Sequence, residues 1–309
     1  MPEYDSEITI GLDIGFDAVR LVAVEHTPDG PILARLGLAV YDYPLSPITL
    51  FQNPDQIVSA SRKVLSAHGG DGWPVTVGLR NRFASVIMAQ IPKKKTLAQC
   101  YDGLIWEAGQ FLDESVDHYI LDVTVLDHIS EHTQDAIIVA ARKEPITVTR
   151  ASMTACGVEP VGLTVASLAL INAFHASYQL SAWEAVALVH IEPGALDVVL
   201  IRDRQIRIMV IPMDPDVDNE ADGLLAFGEQ LRYILNFMPE EETPDTVYIS
   251  GVHPLIPRLC PAWGDQLNLR VTQAAPFVRM TIPDKLKNTV DSVSGPSFMV
   301  ATGLALQGF

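Results

Sequence analysis

The hydrophobic positions along the chain fall into two similar halves. Each half opens with three β-branched segments separated by turn signals and followed by a segment of helical spacing. The predicted elements of the two openings are strands Ile8–Ile14, Val19–Val24 and Ile32–Val40 with helix Pro54–His68, then strands Ala185–Ile191, Asp197–Ile201 and Gln205–Ile211 with helix Ala221–Met238. This repeat predicts an α/β protein of two ribonuclease H type domains, residues 1–180 and 181–309.

An additional α/β unit interrupts the first half, because its middle contains predicted strands and helices that the second half lacks. We therefore expect a small inserted subdomain at about residues 84–156. The remaining predicted elements are strands Pro74–Leu79, Ala84–Ile91, Tyr119–Leu126, Ala136–Ala141, Val158–Val161, Thr246–Ile249 and Leu269–Thr272, and helices Leu97–Leu112, Thr147–Cys156, Val165–Tyr178 and Phe298–Leu306.

The charge balance narrows the set of partners. The 309 residues include 21 Lys and Arg against 38 Asp and Glu, a formal net charge of −17. Such a surface repels nucleic acids and anionic membranes, so neither is an expected partner.

The N-terminus lacks the positive and apolar regions of a secretory signal, and no apolar run reaches the roughly 20 residues that span a bilayer. The chain has three cysteines, an odd number that is consistent with reduced thiols. We therefore expect a cytoplasmic protein that does not insert directly into a membrane.

The first predicted hairpin carries a candidate phosphate loop. In a duplicated fold of this kind a nucleotide lies between the halves, and each hairpin turn offers backbone N–H groups to phosphate oxygens. The run Ile10–Gly15, which contains Asp13 and is followed by Arg20, resembles the first phosphate loop of actin-like proteins, in which the aspartate holds Mg2+ through water. The corresponding later positions are Gly194, in the second turn, and Gly251.

Six further stretches of the chain are Trp106–Ala108, Val139–Lys143, Gly157–Pro160, Ser167–Ala169, Ile249–Gly251 and Gly303–Leu306. In this order they resemble stretches of the PilM family of type IV pilus assembly. The resemblance implies an actin-like fold with an inserted subdomain, and a cytoplasmic adaptor that is peripheral to the inner membrane through protein contacts. It implies that a groove between the first domain and its insertion holds the cytoplasmic N-terminal tail of PilN, an inner-membrane protein. Other pilus or secretion platform proteins are further candidate partners, and the cytoplasmic part of GspL of type II secretion is the neighbouring resemblance.

Three residues in these stretches are candidates for partner binding. Trp106, on a predicted helix of the insertion, is either a core residue or an anchor for a partner. Arg142 and Lys143 end a predicted strand, where each is either a solvated side chain or a contact for the polar part of a tail.

Two phosphate loops depart from the family pattern. In the first, Phe16 and Asp17 replace small hydroxyl residues, and a carboxylate beside a triphosphate is unfavourable. In the second, Glu192 replaces the glycine that permits close backbone approach, and Pro193 has no N–H to donate. Both changes weaken phosphate binding.

The adenosine strand and the closing lobe depart as well. Val252 follows Gly251 where the family has consecutive glycines, and residues 213–227 form a short acidic stretch where the family has a lobe. We therefore expect a reduced or missing lobe in the second domain and a nucleotide-free pseudo-ATPase with no catalytic residues and with ATP and Mg2+ disfavoured. The alternative is an active actin-like ATPase or small-molecule kinase whose degenerate loops are compensated by backbone contacts.

Two histidine arrangements have simpler explanations. The string His128–His132 matches the His-x-x-Glu-His pattern of zinc peptidases, but that pattern requires one helix face and this string lies between two predicted strands. We interpret it as a solvated hairpin loop, and no metal site is predicted. His190, at the end of a predicted strand, is interpreted as a hydrogen-bonded structural residue.

Overall fold

The computed structural model describes residues 8–68, 72–126, 132–181, 184–193, 195–202, 205–213, 221–236, 243–252, 254–293 and 295–307. Its strands are β1 Ile8–Ile14, β2 Ala18–Thr27, β3 Gly30–Val40, β4 Val75–Leu79, β5 Ala84–Pro92, β6 Tyr119–Val125, β7 Thr133–Arg142, β8 Gly162–Val165, β9 Ala185–Glu192, β10 Ala195–Arg202, β11 Gln205–Pro212, β12 Thr246–Gly251 and β13 Arg270–Gln273. Its helices are α1 Pro54–His68, α2 Leu97–Gly109, α3 Lys143–Ala155, α4 Ala166–Ser177, α5 Ala221–Asn236, α6 Ile256–Leu267, α7 Asp284–Ser292 and α8 Met299–Ala305.

Two five-stranded sheets have the same strand order. The first is β3-β2-β1-β4-β8 and the second is β11-β10-β9-β12-β13. In each sheet the first three strands are antiparallel and the last two run parallel to the central one. This order and these directions confirm the predicted pair of ribonuclease H type domains.

The opening hairpins of the two sheets also match in register. Asp13 pairs with Arg20 across β1 and β2, and His190 pairs with Asp197 across β9 and β10. Asp13 and His190 therefore occupy equivalent positions in the two domains.

Helix α8 packs closely against both the first sheet and α4. A Cβ atom at Gly11 would lie 2.0 Å from the carbonyl oxygen of Ala301, and one at Gly303 would lie 1.7 Å from that of Ala169. Glycine at both positions therefore allows backbones to approach where a methyl group has no room.

The insertion has its own sheet and core. Its strand order is β5-β7-β6, and α2 covers one face of this sheet through Leu104, which packs with Ile87 and Ile138. Helix α3 follows the sheet, but Met153 of α3 is fully buried in the core of the first domain. Helix α3 therefore packs against the first domain, while its Ile146 also packs with Ala84 and Ala141 of the inserted sheet.

Helix α5 begins soon after the second sheet's edge strand. Strand β11 ends at Pro212 and α5 begins at Ala221, so the connection is too short to form a further lobe. This agrees with the predicted reduction of the second domain. Within the described residues, no helix is both long and apolar enough to cross a bilayer.

The predicted secondary structure differs from the observed one at four elements. Strand β8 occupies Gly162–Val165 and not Val158–Val161, because the parallel pairing of Val77 with Leu163 fixes its register beside β4. Helix α6 was missed because Pro261 lies inside it, and α7 was missed because none of its residues is buried. Helix α3 begins at Lys143, four residues before the predicted start.

Candidate functional site

The cleft between the two five-stranded sheets contains a buried arginine bound to a carboxylate from each side. Arg80 directly follows β4, and its Nη2 donates to Oδ1 of Asp13 on β1 at 2.6 Å. Its Nη1 donates to Oε1 of Glu192, the last residue of β9. Its Nε donates to the carbonyl oxygen of Ile14 at 3.1 Å. Arg80 therefore links the two domains at the place where a phosphate is expected in this fold.

Strand topology brings these side chains together. Strands β1 and β4 are parallel neighbours, so Asp13 and Arg80 lie at the same edge of the first sheet. Strand β9 takes the place of β1 in the second sheet, and its end brings Glu192 to the same cleft. All three side chains are less than 7% exposed.

The ion pairs keep Arg80 and Glu192 charged in the interior. Burial opposes the charge of Arg80, but Asp13 and Glu192 outweigh it and hold the pKa of the guanidinium above its ordinary value. Burial also opposes the charge of Glu192, yet Arg80 and then His190 hold the pKa of that carboxyl below its ordinary value. The cleft thus contains a compensated charge cluster.

His190 and Asp197 extend this cluster into the second domain. Nδ1 of His190 lies 2.8 Å from Oγ of Ser250, and its Nε2 lies 3.3 Å from Oε1 of Glu192. Asp197 is 1% exposed, and burial, followed by the charge of Glu192, raises the pKa of its carboxyl well above the ordinary value. Among the described residues, Oδ2 of Asp197 has no hydrogen-bond partner.

The predicted nucleotide positions are only partly brought together. Asp13 lies in the cleft, whereas Arg20 makes a two-point ion pair with Asp17 at 2.6 and 3.0 Å. Gly15 closes the first turn by donating its N–H to the carbonyl oxygen of Ala18 at 2.9 Å. Asp17 was expected to repel phosphate, but its charge is compensated within its own turn.

The two glycines predicted in the second domain differ in what the structure shows. Gly194 lies outside the described residues. Gly251 has a φ of 121°, and a Cβ atom there would lie 2.2 Å from the carbonyl oxygen of Ile191. Gly251 is therefore required by the close packing of β12 against β9.

Sequence reasoning missed the residue that organises the cleft. Arg80 was not singled out, although it directly follows a fully buried strand and is itself 4% exposed. A charged residue in that position is a usable signal, since the ends of parallel strands meet at one edge of a sheet. Glu192 was predicted to weaken phosphate binding, but its ion pair with Arg80 across the cleft was not predicted.

The predicted partner-binding residues lie in different surroundings. Trp106 is 70% exposed and is therefore not a core residue. Arg142 donates to Oε1 of Glu114 at 2.8 Å, and Lys143 donates to the carbonyl oxygen of Asp117 at 2.6 Å. Both cations thus hold the segment between α2 and β6.

A groove between the first domain and the insertion lies beside two edge strands. Strand β6 is an edge of the inserted sheet and β8 is an edge of the first sheet. We call the cavity of about 480 Å³ between them the β6–β8 groove. Its lining combines polar and apolar side chains, and two of the apolar ones, Ile120 and Val161, are 48% and 55% exposed. A smaller cavity of about 430 Å³, the Ile48 groove, lies between the same units and includes Ile48 and Lys143.

Metal-binding arrangements are not found in the described part of the chain, where no group of three or more His, Cys, Asp and Glu side chains is placed to hold an ion. Residues 128–131 of the His-x-x-Glu-His string lie outside that part. The interpretation of this string as a hairpin loop therefore stays a prediction.

The fold and the cleft define the class of protein: two ribonuclease H type domains that share a cleft make an actin-like fold. The structure is similar to the "PilM-PilN type IV pilus biogenesis complex", with a TM-score of 0.83 and 21% sequence identity over 97% of this chain and 98% of that one. The resemblance to PilM predicted from the sequence is thus confirmed at the level of the fold.

Two other solved structures share the fold at lower similarity. One is a protein of actin-like ATPase fold and unknown function from Bacteroides thetaiotaomicron, with a TM-score of 0.56 and 13% identity over 98% of both chains. The other is the cytoplasmic domain of EpsL, an inner-membrane component of the type II secretion system of Vibrio cholerae, with a TM-score of 0.50 and 11% identity over 98% of this chain and 96% of that one. No protein-family model matches the sequence, and no curated protein matches it.

Proposed function

We propose that the protein is a cytoplasmic adaptor of a type IV pilus machine, and that it holds the N-terminal tail of a PilN-like inner-membrane protein. The similarity to the PilM–PilN complex over nearly the full length of both chains supports this role. Such a tail also accounts for attachment of a strongly acidic chain to the inner membrane, since recruitment then occurs through protein contacts.

The β6–β8 groove is the observation that carries the proposal. It lies between the first domain and the insertion, and each of its walls contains an edge strand whose backbone groups are available to an extended peptide. Its exposed Ile120 and Val161 offer apolar contacts to alternate side chains of such a peptide. Arg142 and Lys143 are already bound within the insertion, so we assign them a supporting role.

We further propose that the cleft is that of a pseudo-ATPase. Arg80 neutralises Asp13, the carboxylate that a hydrated Mg2+ requires in this fold, and Glu192 adds a buried negative charge near the expected phosphates. Pro193 in the second turn has no N–H to donate. These residues do not fit a triphosphate with its metal ion.

A tail-binding measurement tests the adaptor proposal. The probe is a fluorescent synthetic peptide with the sequence of the cytoplasmic N-terminal tail of the PilN-like protein from the same genome, read by anisotropy. We expect the whole protein to bind it, and we expect Ile120→Glu to weaken binding by about 10-fold or more by placing a charge in the groove. Ile48→Glu is the matched control, because Ile48 is 73% exposed in the other groove.

The possible outcomes distinguish a wrongly assigned tail-binding groove from a wrong adaptor function. Loss of binding with Ile48→Glu and not with Ile120→Glu moves the tail to the Ile48 groove and keeps the adaptor role. Absence of binding by the unaltered protein contradicts the proposed function. Binding of a tail from a type II secretion protein in preference to the pilus tail assigns the adaptor to that machine.

A further inference from the structure

The β6–β8 groove contains one compensated and one uncompensated charge. Among the described residues that line it, Asp122 of β6 and Arg150 of α3 carry the charges. Arg150 donates to Oε1 of Glu159 at 2.9 Å, so its charge is already balanced. Asp122 is exposed, and within the part of the chain that the structure describes its carboxylate forms no ion pair. The groove therefore has one negative charge available for a ligand.

Asp122 lies in the middle of the wall that β6 provides. Ile120, Asp122 and Thr124 are alternate residues of this strand, and all three line the groove. Val139, the direct partner of Asp122 across β6 and β7, lines the groove as well. The carboxylate is thus placed between an apolar and a polar neighbour on the face of the sheet that the groove occupies.

A backbone contact restrains the Asp122 side chain. Its Oδ1 accepts a hydrogen bond from the backbone N–H of Val123 at 2.9 Å. A carboxylate has about four lone-pair sites, so both oxygens can still accept from a ligand. Because the side chain is already held by its own strand, it loses less conformational entropy when it pairs.

The tail proposed for this groove has the complementary charge. Cytoplasmic segments that adjoin the membrane spans of inner-membrane proteins have an excess of Lys and Arg. The formal net charge of −17 attracts such a segment over a distance, but this attraction does not select a particular residue. Selection requires a charge inside the groove, at close range, and Asp122 provides it.

We propose that Asp122 is the specificity-determining residue of the β6–β8 groove and pairs with a Lys or Arg of the bound tail. An extended tail beside β6 presents its side chains at the same alternate spacing as Ile120 and Asp122. The groove therefore accepts a tail in which an apolar residue, in contact with Ile120, lies two positions from the basic one. This inference rests on the proposed function and adds to it the chemical class of tail that the groove accepts.

Charge reversal on both sides of the contact tests the pairing in the whole protein. The probe is the fluorescent tail peptide of the PilN-like protein, together with a set of variants in which one Lys or Arg at a time is replaced by Glu. We expect Asp122→Lys to weaken binding of the unaltered peptide by about 10-fold or more, because attraction is replaced by like-charge repulsion. We expect one peptide variant to bind the unaltered protein poorly and to bind Asp122→Lys about 5-fold or more tightly than the unaltered peptide does.

Asp102→Lys is the matched control for net charge. Asp102 is exposed on α2, which covers the opposite face of the inserted sheet, so the same change of charge is made outside the groove. We expect tail binding by this variant to stay within about 2-fold of the unaltered protein, since exposed charges at such a separation are screened by salt. Asp122→Asn removes the charge with little change of shape, and its binding should be weaker and less dependent on salt. Circular dichroism confirms that all three variants are folded.

Failure of this inference can be told apart from failure of the proposed function. If the unaltered protein binds the tail and Asp122→Lys weakens binding no more than Asp102→Lys does, the assignment of Asp122 is wrong while the adaptor role stands. Loss of binding in Asp122→Lys that no peptide variant restores would overturn the pairing with a basic residue. A restoring position without an apolar residue two positions away would overturn the register with Ile120. Absence of tail binding by the unaltered protein contradicts the proposed function itself.

Discussion

Arg80 and Glu192 form a buried ion pair across the cleft, joining the end of β4 in the first domain to the end of β9 in the second. Arg80 also pairs with Asp13, so one cation compensates two buried carboxylates. Such a cluster adds little net stability over apolar side chains of the same size, because all its members lose their hydration. Removal of one member is different, since it leaves an uncompensated charge in the interior.

We therefore expect Arg80→Met to be strongly destabilising. Loss of the guanidinium leaves Asp13 and Glu192 buried without a cation, at a cost of about 3 to 5 kcal/mol. Urea unfolding followed by circular dichroism measures the change. Arg82→Met is the matched control, because Arg82 is exposed two residues away, and we expect a change within about 0.5 kcal/mol.

A double-mutant cycle isolates the contact between domains. We expect Arg80→Met and Glu192→Gln together to cost less than the sum of the two single changes, with a coupling free energy of about 0.5 to 3 kcal/mol. Additive costs would mean that the two side chains do not interact in solution.

We expect Asp197→Asn to stabilise the protein at neutral and alkaline pH. The folded-state pKa of Asp197 is raised, so the folded protein keeps a proton that the unfolded chain releases above about pH 4. The stability from that proton is full at acid pH and falls as pH rises towards the folded pKa. An amide cannot ionise, so the gain is expected to be about 1 to 3 kcal/mol at pH 8 and smaller at pH 5. Urea unfolding at the two pH values checks this, and an equal effect at both would contradict it.

Glu192→Gln tests a carboxyl whose folded-state pKa is shifted in the opposite direction from that of Asp197. The folded-state pKa of Glu192 is lowered, so its charge stabilises the protein above the unfolded pKa of about 4.3, and this contribution is lost as pH falls through the folded value. We expect the cost of Glu192→Gln to be larger at pH 7 than at pH 3. A cost that does not change with pH would mean that the ion pair with Arg80 does not set the titration of this carboxyl.

The sequence predicts the paired domains well because their strands are dense in β-branched residues and are punctuated by turns. It predicts Asp13 in the cleft because the first hairpin has a recognisable loop. Arg80 could not be found in the same way, since its two carboxylate partners come from β1 and from β9, which is more than 100 residues away along the chain. The pairing depends on how the two domains pack, and that information is not local.

The α4–α8 contact was also beyond sequence reasoning, and it leads to a stability prediction. We expect Gly303→Ala to be severely destabilising, by about 4 kcal/mol or more, because the new methyl group would overlap the backbone of Ala169. Gly103→Ala is the matched control. Gly103 lies within α2 with no atom near its Cβ position, so the same change there should stabilise the protein by about 0.5 to 1 kcal/mol. Thermal unfolding of both variants gives the comparison.

Nucleotide binding follows from the charge of the cleft. We expect no ATP turnover and a dissociation constant for Mg-ATP weaker than about 100 μM, because Arg80 is held by two carboxylates and Pro193 lacks a donor. Calorimetry and phosphate release measure the two quantities. We expect Glu192→Gly alone not to restore activity while Pro193 is present. A dissociation constant near 1 μM with Mg2+-dependent phosphate release would favour the ATPase or kinase alternative.

Removal of the insertion tests whether tail binding and the core are separable. Ala84 and Ala141 are direct partners across β5 and β7, so their Cα atoms lie about 5 Å apart and two glycines can join them after excision of residues 85–140. The excision keeps α3, whose Met153 is buried in the first domain, and keeps Arg80 in the cleft. We expect a folded, cooperatively unfolding protein that no longer binds the PilN-like tail, because β6 and its half of the groove are gone. Circular dichroism and anisotropy measure the two properties. If the shortened protein fails to fold, Ile120→Glu in the whole chain tests the same groove, and tail binding that survives both changes would place the tail outside the insertion.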